Sequence, residues 1–290
     1  MSDSENMKLP KLQVCSLNIS KACGLKCPGC YAYKFFGNEN AYMSLSNYKK
    51  IINKLGEEDG WQRVQLSGGE PFLHPDLVKM CRYTAKKMIK PIVFTSGIMT
   101  NNDMIAKLKP YVESFNVTIK YPNELDNRFK GHEKSLENSK KFLQICNDLN
   151  IPTQIHWAID KGNYKYFDQI HGIAQQYNSM LFVLRFIPFD VKFKERFLIA
   201  KYWDAICKYA LKHKNVHIGN TSKYTDYKCT AGLTRLSINT DSGYTPCIYL
   251  SNSLGNIFND SLDEIKKKLY NWRLNYKYFD KCIAIETVIK

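Results

Sequence analysis

The strongest constraint on this chain is the run Cys23-Gly24-Leu25-Lys26-Cys27-Pro28-Gly29-Cys30, which puts three cysteines at C-x3-C-x2-C spacing on one short loop. A structural zinc site takes four closed protein ligands, whereas an iron-sulfur cube held by three cysteines leaves one iron open to an outside ligand. The spacing therefore points to a cube whose free iron binds a substrate-like molecule. Asn18, Tyr31 and the backbone of Gly24 to Gly29 are placed to give hydrogen bonds to the sulfurs. Ten cysteines occur in all. The opening MSDSENMKLPK has no basic stretch followed by an apolar core, so no secretory signal is read there and a cytoplasmic chain is expected. In a reducing compartment, cysteines serve as metal ligands or catalytic thiols rather than as a disulfide framework.

The surrounding pattern alternates strands and helices. Strand-like runs are read at 12–20, 61–66, 91–95, 115–119, 153–159 and 181–187. Helical spacing falls between them, at 45–55 behind a Ser44 N-cap, and at 75–88, 103–108, 133–149, 164–177 and 195–213. Six βα units predict an α/β fold, a partial (β/α)6 TIM-like barrel with a mainly parallel sheet and its chemistry at the C-terminal strand ends. With 290 residues and 44% hydrophobic content, a sizeable core is expected and disorder is excluded. The character changes near 215. Residues 1–215 are read as the barrel and 216–290 as a small α+β appendage, with a hairpin of 236–239 and 245–250 and a helix at 261–274.

The first strand leads into the cysteine loop, and the second ends in Ser67-Gly68-Gly69-Glu70-Pro71. Two glycines allow close approach to the backbone, and Glu70 offers an anion suited to a ligand ammonium group. Read alone, the pentapeptide is equally well a Gly-Gly turn with a solvated glutamate. Together, CGLKCPGC and SGGEP resemble the radical S-adenosylmethionine superfamily, over most of 12–188. The resemblance implies a 4Fe-4S cluster on Cys23, Cys27 and Cys30, with its unique iron chelated by the amino and carboxylate groups of S-adenosylmethionine. It also implies that Ser67, Gly68, Gly69, Glu70 and Pro71 hold the amino group. Further cofactor contacts are expected from Tyr31, from Ser96 within Thr95-Ser96-Gly97, from Thr118 and from Arg185. An electron donor such as flavodoxin or ferredoxin would reduce the cluster, and a 5′-deoxyadenosyl radical would take hydrogen from the substrate. Two positions depart from the family pattern. Gly29 stands where an aromatic often precedes the third cysteine, and Thr118-Ile119-Lys120 puts a cation where an acid is common.

Beyond 216, Cys229-Thr230-Ala231-Gly232, Gly243-Tyr244-Thr245-Pro246-Cys247 and Leu254-Gly255-Asn256-Ile257 resemble a shortened SPASM or twitch auxiliary-cluster domain. The resemblance implies a second iron-sulfur cluster on Cys229, Cys247 and Cys282; the alternative is three unrelated buried thiols. Cys15, Cys81, Cys146 and Cys207 read as core residues. The six histidines show no zinc-hydrolase pairing, and His156 is expected to face the barrel interior as a structural residue. Lys and Arg outnumber Asp and Glu by 42 to 27, a formal charge of +15 that suits an acidic partner, although specific nucleic-acid binding is not expected. The longest apolar stretch, 180–189, is far below the roughly 20 residues of a membrane span. Modification of a peptide or protein side chain leads as the expected activity, with oxidation or rearrangement of a sugar or nucleotide as the alternative. A non-catalytic iron-sulfur scaffold is disfavoured by the intact cysteines and Glu70.

Overall fold

The strand Thr153–Ile159 alternates buried and part-buried residues while Val14–Ser20 is buried throughout, and amphipathic stripes set helices such as Leu45–Leu55 and Leu77–Lys87. In a computed structural model that describes residues 9–37, 39–99, 101–189, 191–219, 224, 228–276 and 281–289, ten strands form one sheet. They are β1 (Val14–Ser20), β2 (Arg63–Gly68), β3 (Ile92–Thr95), β4 (Ser114–Thr118), β5 (Thr153–Ile159), β6 (Met180–Arg185), β7 (Val216–Ile218), β8 (Arg235–Ile238), β9 (Gly243–Thr245) and β10 (Gly255–Asn256). Their order is β10-β9-β8-β1-β2-β3-β4-β5-β6-β7. From β8 through β7 every pair is parallel, and β9 and β10 add antiparallel to the β8 edge. This is the expected α/β fold, a parallel sheet of partial TIM-like barrel form.

Among the described residues the α-helices are α1 (Tyr31–Phe36), α2 (Leu45–Leu55), α3 (Leu77–Lys87), α4 (Asn102–Leu108), α5 (Leu125–Lys130), α6 (Ser135–Asp148), α7 (Phe167–Gln176), α8 (Ala200–Ala210), α9 (Leu262–Leu274) and α10 (Ile283–Ile289). α2 shows how local sequence builds them. Ser44 caps its N-terminus by accepting from the Asn47 N–H at 3.1 Å, and Tyr48, Ile51, Ile52 and Leu55 are buried on one stripe. α9 starts with a capping box in which Ser261 and Glu264 satisfy each other's backbone N–H.

β5 shows the two faces of the sheet. Thr153, Ile155, Trp157 and Ile159 are buried and pack toward the helices, with the Trp157 and Phe167 rings 5.9 Å apart. Gln154, His156 and Ala158 alternate with them and take the concave face. Cys15, Cys81, Cys146 and Cys207 are fully buried in the main core. Among the described residues, no helix is long and apolar enough to cross a membrane.

Some elements depart from the expectation. The second hairpin strand stops at Thr245 rather than continuing to 250, because Pro246 has no N–H to give and Leu250 N–H turns back to the Cys247 carbonyl. The helix expected at 195–213 begins only at Ala200, after a 3-10 segment at Val191–Arg196. The hairpin's first strand, β8, joins the barrel sheet beside β1, so the strands past 216 extend that sheet.

Candidate functional site

β1 and β2 lie parallel and side by side, so the loops leaving their C-terminal ends meet. Gly69 N–H donates to the Ser20 carbonyl at 2.7 Å and Glu70 N–H to the Ala22 carbonyl at 2.8 Å. A Cβ on Gly68 would collide with the Ser20 carbonyl oxygen and one on Gly69 with that of Ala22, and Gly68 also has a φ of +127°. The two glycines therefore allow the SGGEP backbone to lie flat against the chain that enters the cysteine loop. The close approach inferred from sequence is backbone to backbone.

Glu70 is 1% exposed and accepts from four donors of its own chain. Thr95 Oγ1 (2.7 Å) and Phe72 N–H (3.2 Å) bond Oε1, while Ser96 N–H (2.8 Å) and Ser96 Oγ bond Oε2. All the carboxylate's lone-pair directions are filled. Its position clasps the β2 exit to Thr95-Ser96-Gly97 at the β3 exit. A ligand ammonium would reach this carboxylate only if one of those donors gave way. Pro71 begins the short 3-10 turn Pro71–Leu73 that follows.

On the cysteine loop, Cys23, Cys27 and Cys30 are all partly exposed free thiols. Cys30 N–H turns back to the Cys27 carbonyl at 3.3 Å, and Cys30 leads directly into α1. Gly29 has a φ of +73°, and a Cβ there would lie 3.1 Å from Phe186 and 3.2 Å from Phe193. The space that an aromatic before the third cysteine would fill is thus already occupied by two aromatic rings from beyond β6. Burial pushes the Cys23 thiol up to about 11 and the Cys27 thiol to about 12, and also raises Cys30. Cys23 senses Glu70 and Cys30, and Cys27 senses Cys30, Lys130, Cys23 and Asp126, the lysine lowering it and the carboxylate raising it. With burial raising their pKa values, these thiols would release protons on binding metal.

Among the described residues, no three His, Cys, Asp or Glu close around a single ion. Thiolates bound to different irons of a cube stand wider apart than ligands sharing one ion. Three soft donors converging on one loop fit such a cube.

The other expected contacts lie around the same rim. Tyr31 is partly buried, is hydrogen-bonded to Ser67, and packs edge-on against Tyr249 at 5.4 Å and Phe189 at 6.0 Å. From Ser67 the bonds run on: its Oγ donates to Asn18 Oδ1 at 3.0 Å, and Asn18 Nδ2 donates to Asn239 Oδ1 at 2.9 Å. Thr118 ends β4 exposed, its carbonyl taken by Lys130 Nζ at 2.7 Å. Arg185 ends β6, where it donates to the Leu198 carbonyl from Nε at 2.8 Å and stacks 4.0 Å from the Phe197 ring. Burial lowers its pKa to about 10.

On the concave face, His156 stacks 4.6 Å from Phe182, meets Phe94 edge-on at 4.9 Å and is bonded by Asn116 Nδ2 at 2.9 Å. Enclosure by these rings drops its pKa to about 3, so it stays neutral. It faces the interior, as expected for a structural histidine.

Lys120 holds a different role from the acid it replaces. Its Nζ pairs with Asp160 Oδ2 at 2.9 Å and donates to the Ala158 carbonyl at 2.6 Å, and Arg196 closes on the same Asp160 oxygen. Asp160, just past β5, is fully buried and takes both cations. Sequence reading noted Lys120 but passed over Asp160, Arg196, Asp126 and Lys130, although an acid directly after a strand was a visible signal.

Cys229, Cys247 and Cys282 sit together at the other side of Tyr31. Cys229 packs with Ala231 and Ile283, with Cys247 against them, and Cys247 senses both Tyr31 and Cys229. Burial raises Cys247 and takes Cys282 up to about 12, with contributions from Cys247 and Cys229. The packing around them is apolar and aromatic, with Arg235 acting on Cys247 and Arg185 on Cys282.

Comparison with known proteins matches this arrangement. A family profile described as the Radical SAM superfamily matches residues 17–172. Fe-coproporphyrin III synthase of Methanosarcina barkeri is 27% identical over 161 residues, which are 55% of this chain and 40% of that protein. The antilisterial bacteriocin subtilosin biosynthesis protein AlbA of Bacillus subtilis is 24% identical over 57% of this chain and 36% of its own length. The chain thus spans well under half of these two relatives. GTP 3′,8-cyclase of Clostridium botulinum is 23% identical over 97% of this chain and 96% of its own length. The crystal structure of Streptococcus suis SuiB superposes with a TM-score of 0.75 at 16% identity, covering 92% of this chain and 68% of that one. At that identity the likeness is one of fold. With the profile covering more than half of the chain, the protein belongs to the radical SAM superfamily.

Proposed function

We propose that Cys23, Cys27 and Cys30 hold a 4Fe-4S cluster with S-adenosylmethionine on its open iron, and that the enzyme modifies a peptide or protein side chain. When bound, the pair supplies reductive cleavage of the sulfonium and abstraction of a substrate hydrogen. The chain's own part is to hold the reacting carbon still and keep water out. One observation carries this reading: SGGEP is bonded to Ser20 and Ala22, the residues that lead into the cysteine loop, at the C-terminal ends of the paired strands β1 and β2.

Several residues have assigned work within it. Carbonyls of Ser67, Gly68 and Gly69 take the cofactor's ammonium group, Glu70 fixes that segment to Ser96, and Tyr31 and Thr118 line the rim. Arg185, bonded to Leu198 on its inner side, stands at the β6 end as a partner for the cofactor carboxylate.

The substrate reading follows from the concave face. Asn18, Asn116, His156 and Asn239 line it with uncharged polar groups between the Phe94 and Phe182 rings. Such a surface suits an uncharged side chain better than a nucleoside triphosphate. SuiB, whose fold this chain shares, was crystallised with a precursor peptide. The second reading, a nucleotide substrate, is favoured by the near full-length match to GTP 3′,8-cyclase.

We also assign residues 216–290 as an auxiliary segment in which Cys229, Cys247 and Cys282 carry a second cluster. A flavodoxin or ferredoxin is the proposed electron donor.

Anaerobically reconstituted protein given S-adenosylmethionine and dithionite should form 5′-deoxyadenosine, and Cys27→Ala should abolish it. Faster formation with candidate acceptor peptides supports the first substrate reading, and faster formation with GTP supports the second. No 5′-deoxyadenosine under any condition contradicts both.

A further inference from the structure

Two buried ammonium groups flank the Cys27 side of the cysteine loop. Lys130, at the end of α5, has a side chain 1% exposed; its Nζ pairs with Asp126 at 3.0 Å and donates to the Thr118 carbonyl. Its own carbonyl accepts from the Lys26 N–H at 3.0 Å, tying the residue before Cys27 to the bearer of the charge.

Lys120, with a side chain 5% exposed, pairs with Asp160 and lies 5.2 Å from the centre of the Phe186 ring. The same ring abuts Gly29, two residues from Cys27. Arg196 shares Asp160 and stands 4.9 Å from that ring. Among the described residues, Lys120, Lys130 and Arg196 pair with Asp126 and Asp160, three cations to two carboxylates. On the Cys23 side the nearby charge is the Glu70 carboxylate.

Burying ammonium groups is costly even when they are paired, and the packing they provide could come from apolar side chains of similar length. What apolar side chains could not supply is positive potential in a low-dielectric region beside the cluster loop. A cluster gaining one electron gains one negative charge, and nearby cations favour that reduced form.

We propose that Lys120 and Lys130 raise the reduction potential of the cluster on Cys23, Cys27 and Cys30 by stabilising the added charge on its Cys27 side. The proposal rests on the assignment of that cluster to the triplet. Neither lysine is a catalytic residue; both act through the potential.

The test is a dithionite titration of anaerobic holoprotein against redox mediators, with the reduced cluster counted by EPR. At the potential where the wild-type cluster is half reduced, Lys120→Met and Lys130→Met should each lower the reduced-to-oxidised ratio about tenfold, equivalent to about 59 mV for one electron. Lys120→Arg and Lys130→Arg should stay within about twofold of wild type, and Asp126→Asn should shift the ratio the opposite way. An unchanged ratio in both methionine variants at full iron content overturns the proposal. So does loss of iron with an unchanged ratio in the clusters that remain, which would give the lysines a folding role alone. A Cys27→Ala chain that keeps the wild-type EPR signal overturns the underlying cluster assignment instead.

Discussion

The two cysteine triplets differ in what surrounds them. Cys23, Cys27 and Cys30 lie on a rim of backbone hydrogen bonds and paired charges, where Ser20 and Ala22 bond SGGEP and Lys26 bonds Lys130. Cys229, Cys247 and Cys282 lie among Ala231, Ile283 and Ala284, with aromatic rings between them and the first set. Three thiols close together can pack as a small apolar cluster or hold metal. What distinguishes the first triplet is the SGGEP segment bonded to the chain that enters its loop and the buried ammonium–carboxylate pairs on its Cys27 side, whereas the second has guanidinium groups nearby, Arg235 at Cys247 and Arg185 at Cys282.

The largest contrast should appear when each triplet is cut. Cys27→Ala is expected to remove the iron of one cube, about four atoms, and all 5′-deoxyadenosine formation. Cys229→Ala with Cys247→Ala is expected to remove a similar amount of iron while uncoupled formation continues, measured by iron assay and product chromatography. Equal iron in that second variant and the wild type would leave the C-terminal triplet as packed thiols.

The glycines sharpen the same comparison. Gly69→Ala forces a Cβ into the Ala22 carbonyl and should cost at least about 2 kcal/mol, a displacement of chain rather than of side chains. Gly172, inside α7, meets nothing within 4 Å, so Gly172→Ala should stabilise by about 0.5–1 kcal/mol. Thermal melts of the two variants are expected to move in opposite directions.

Proton linkage at His156 gives a third test. Its folded pKa, about 3, lies below the ordinary 6.5 because the charged ring is excluded from its enclosed position. A depressed value of this kind stabilises the fold fully above pH 6.5 and is lost as pH falls from there toward 3. His156→Gln should flatten the acid limb of a stability-against-pH curve by up to about 1.4 kcal/mol per pH unit. An identical slope would mean the imidazole finds a counter-charge when protonated.

A helix end remote from both triplets gives a similarly small effect. Ser44→Ala removes the bond to Asn47 N–H and should cost about 1 kcal/mol in chemical denaturation, with 5′-deoxyadenosine formation unchanged.

Local signals carried the barrel. The period of two in β5, the Ser44 cap and apolar stripe of α2, and the cysteine spacing all depend on neighbours within a turn or a strand. What sequence reading missed depends on distant partners. β8 pairs with β1 across more than two hundred positions, and nothing in Arg235–Ile238 names that neighbour. α5 is a single short helix whose Asp126 accepts from the backbone of Lys120 and Tyr121, so tertiary bonds rather than periodicity fix it. Glu70 was legible as an anion at a strand end, but its clasp on Thr95 and Ser96 needed β3 beside β2.

The most direct test of the central claim is EPR of the anaerobically reduced protein before and after S-adenosylmethionine is added. A cube with an open iron on the first triplet predicts a changed spectrum on addition, lost in Cys27→Ala and kept when Cys229 and Cys247 are replaced. Reconstituted protein that takes up zinc instead of an iron cube, or an iron signal that ignores the compound, would contradict it.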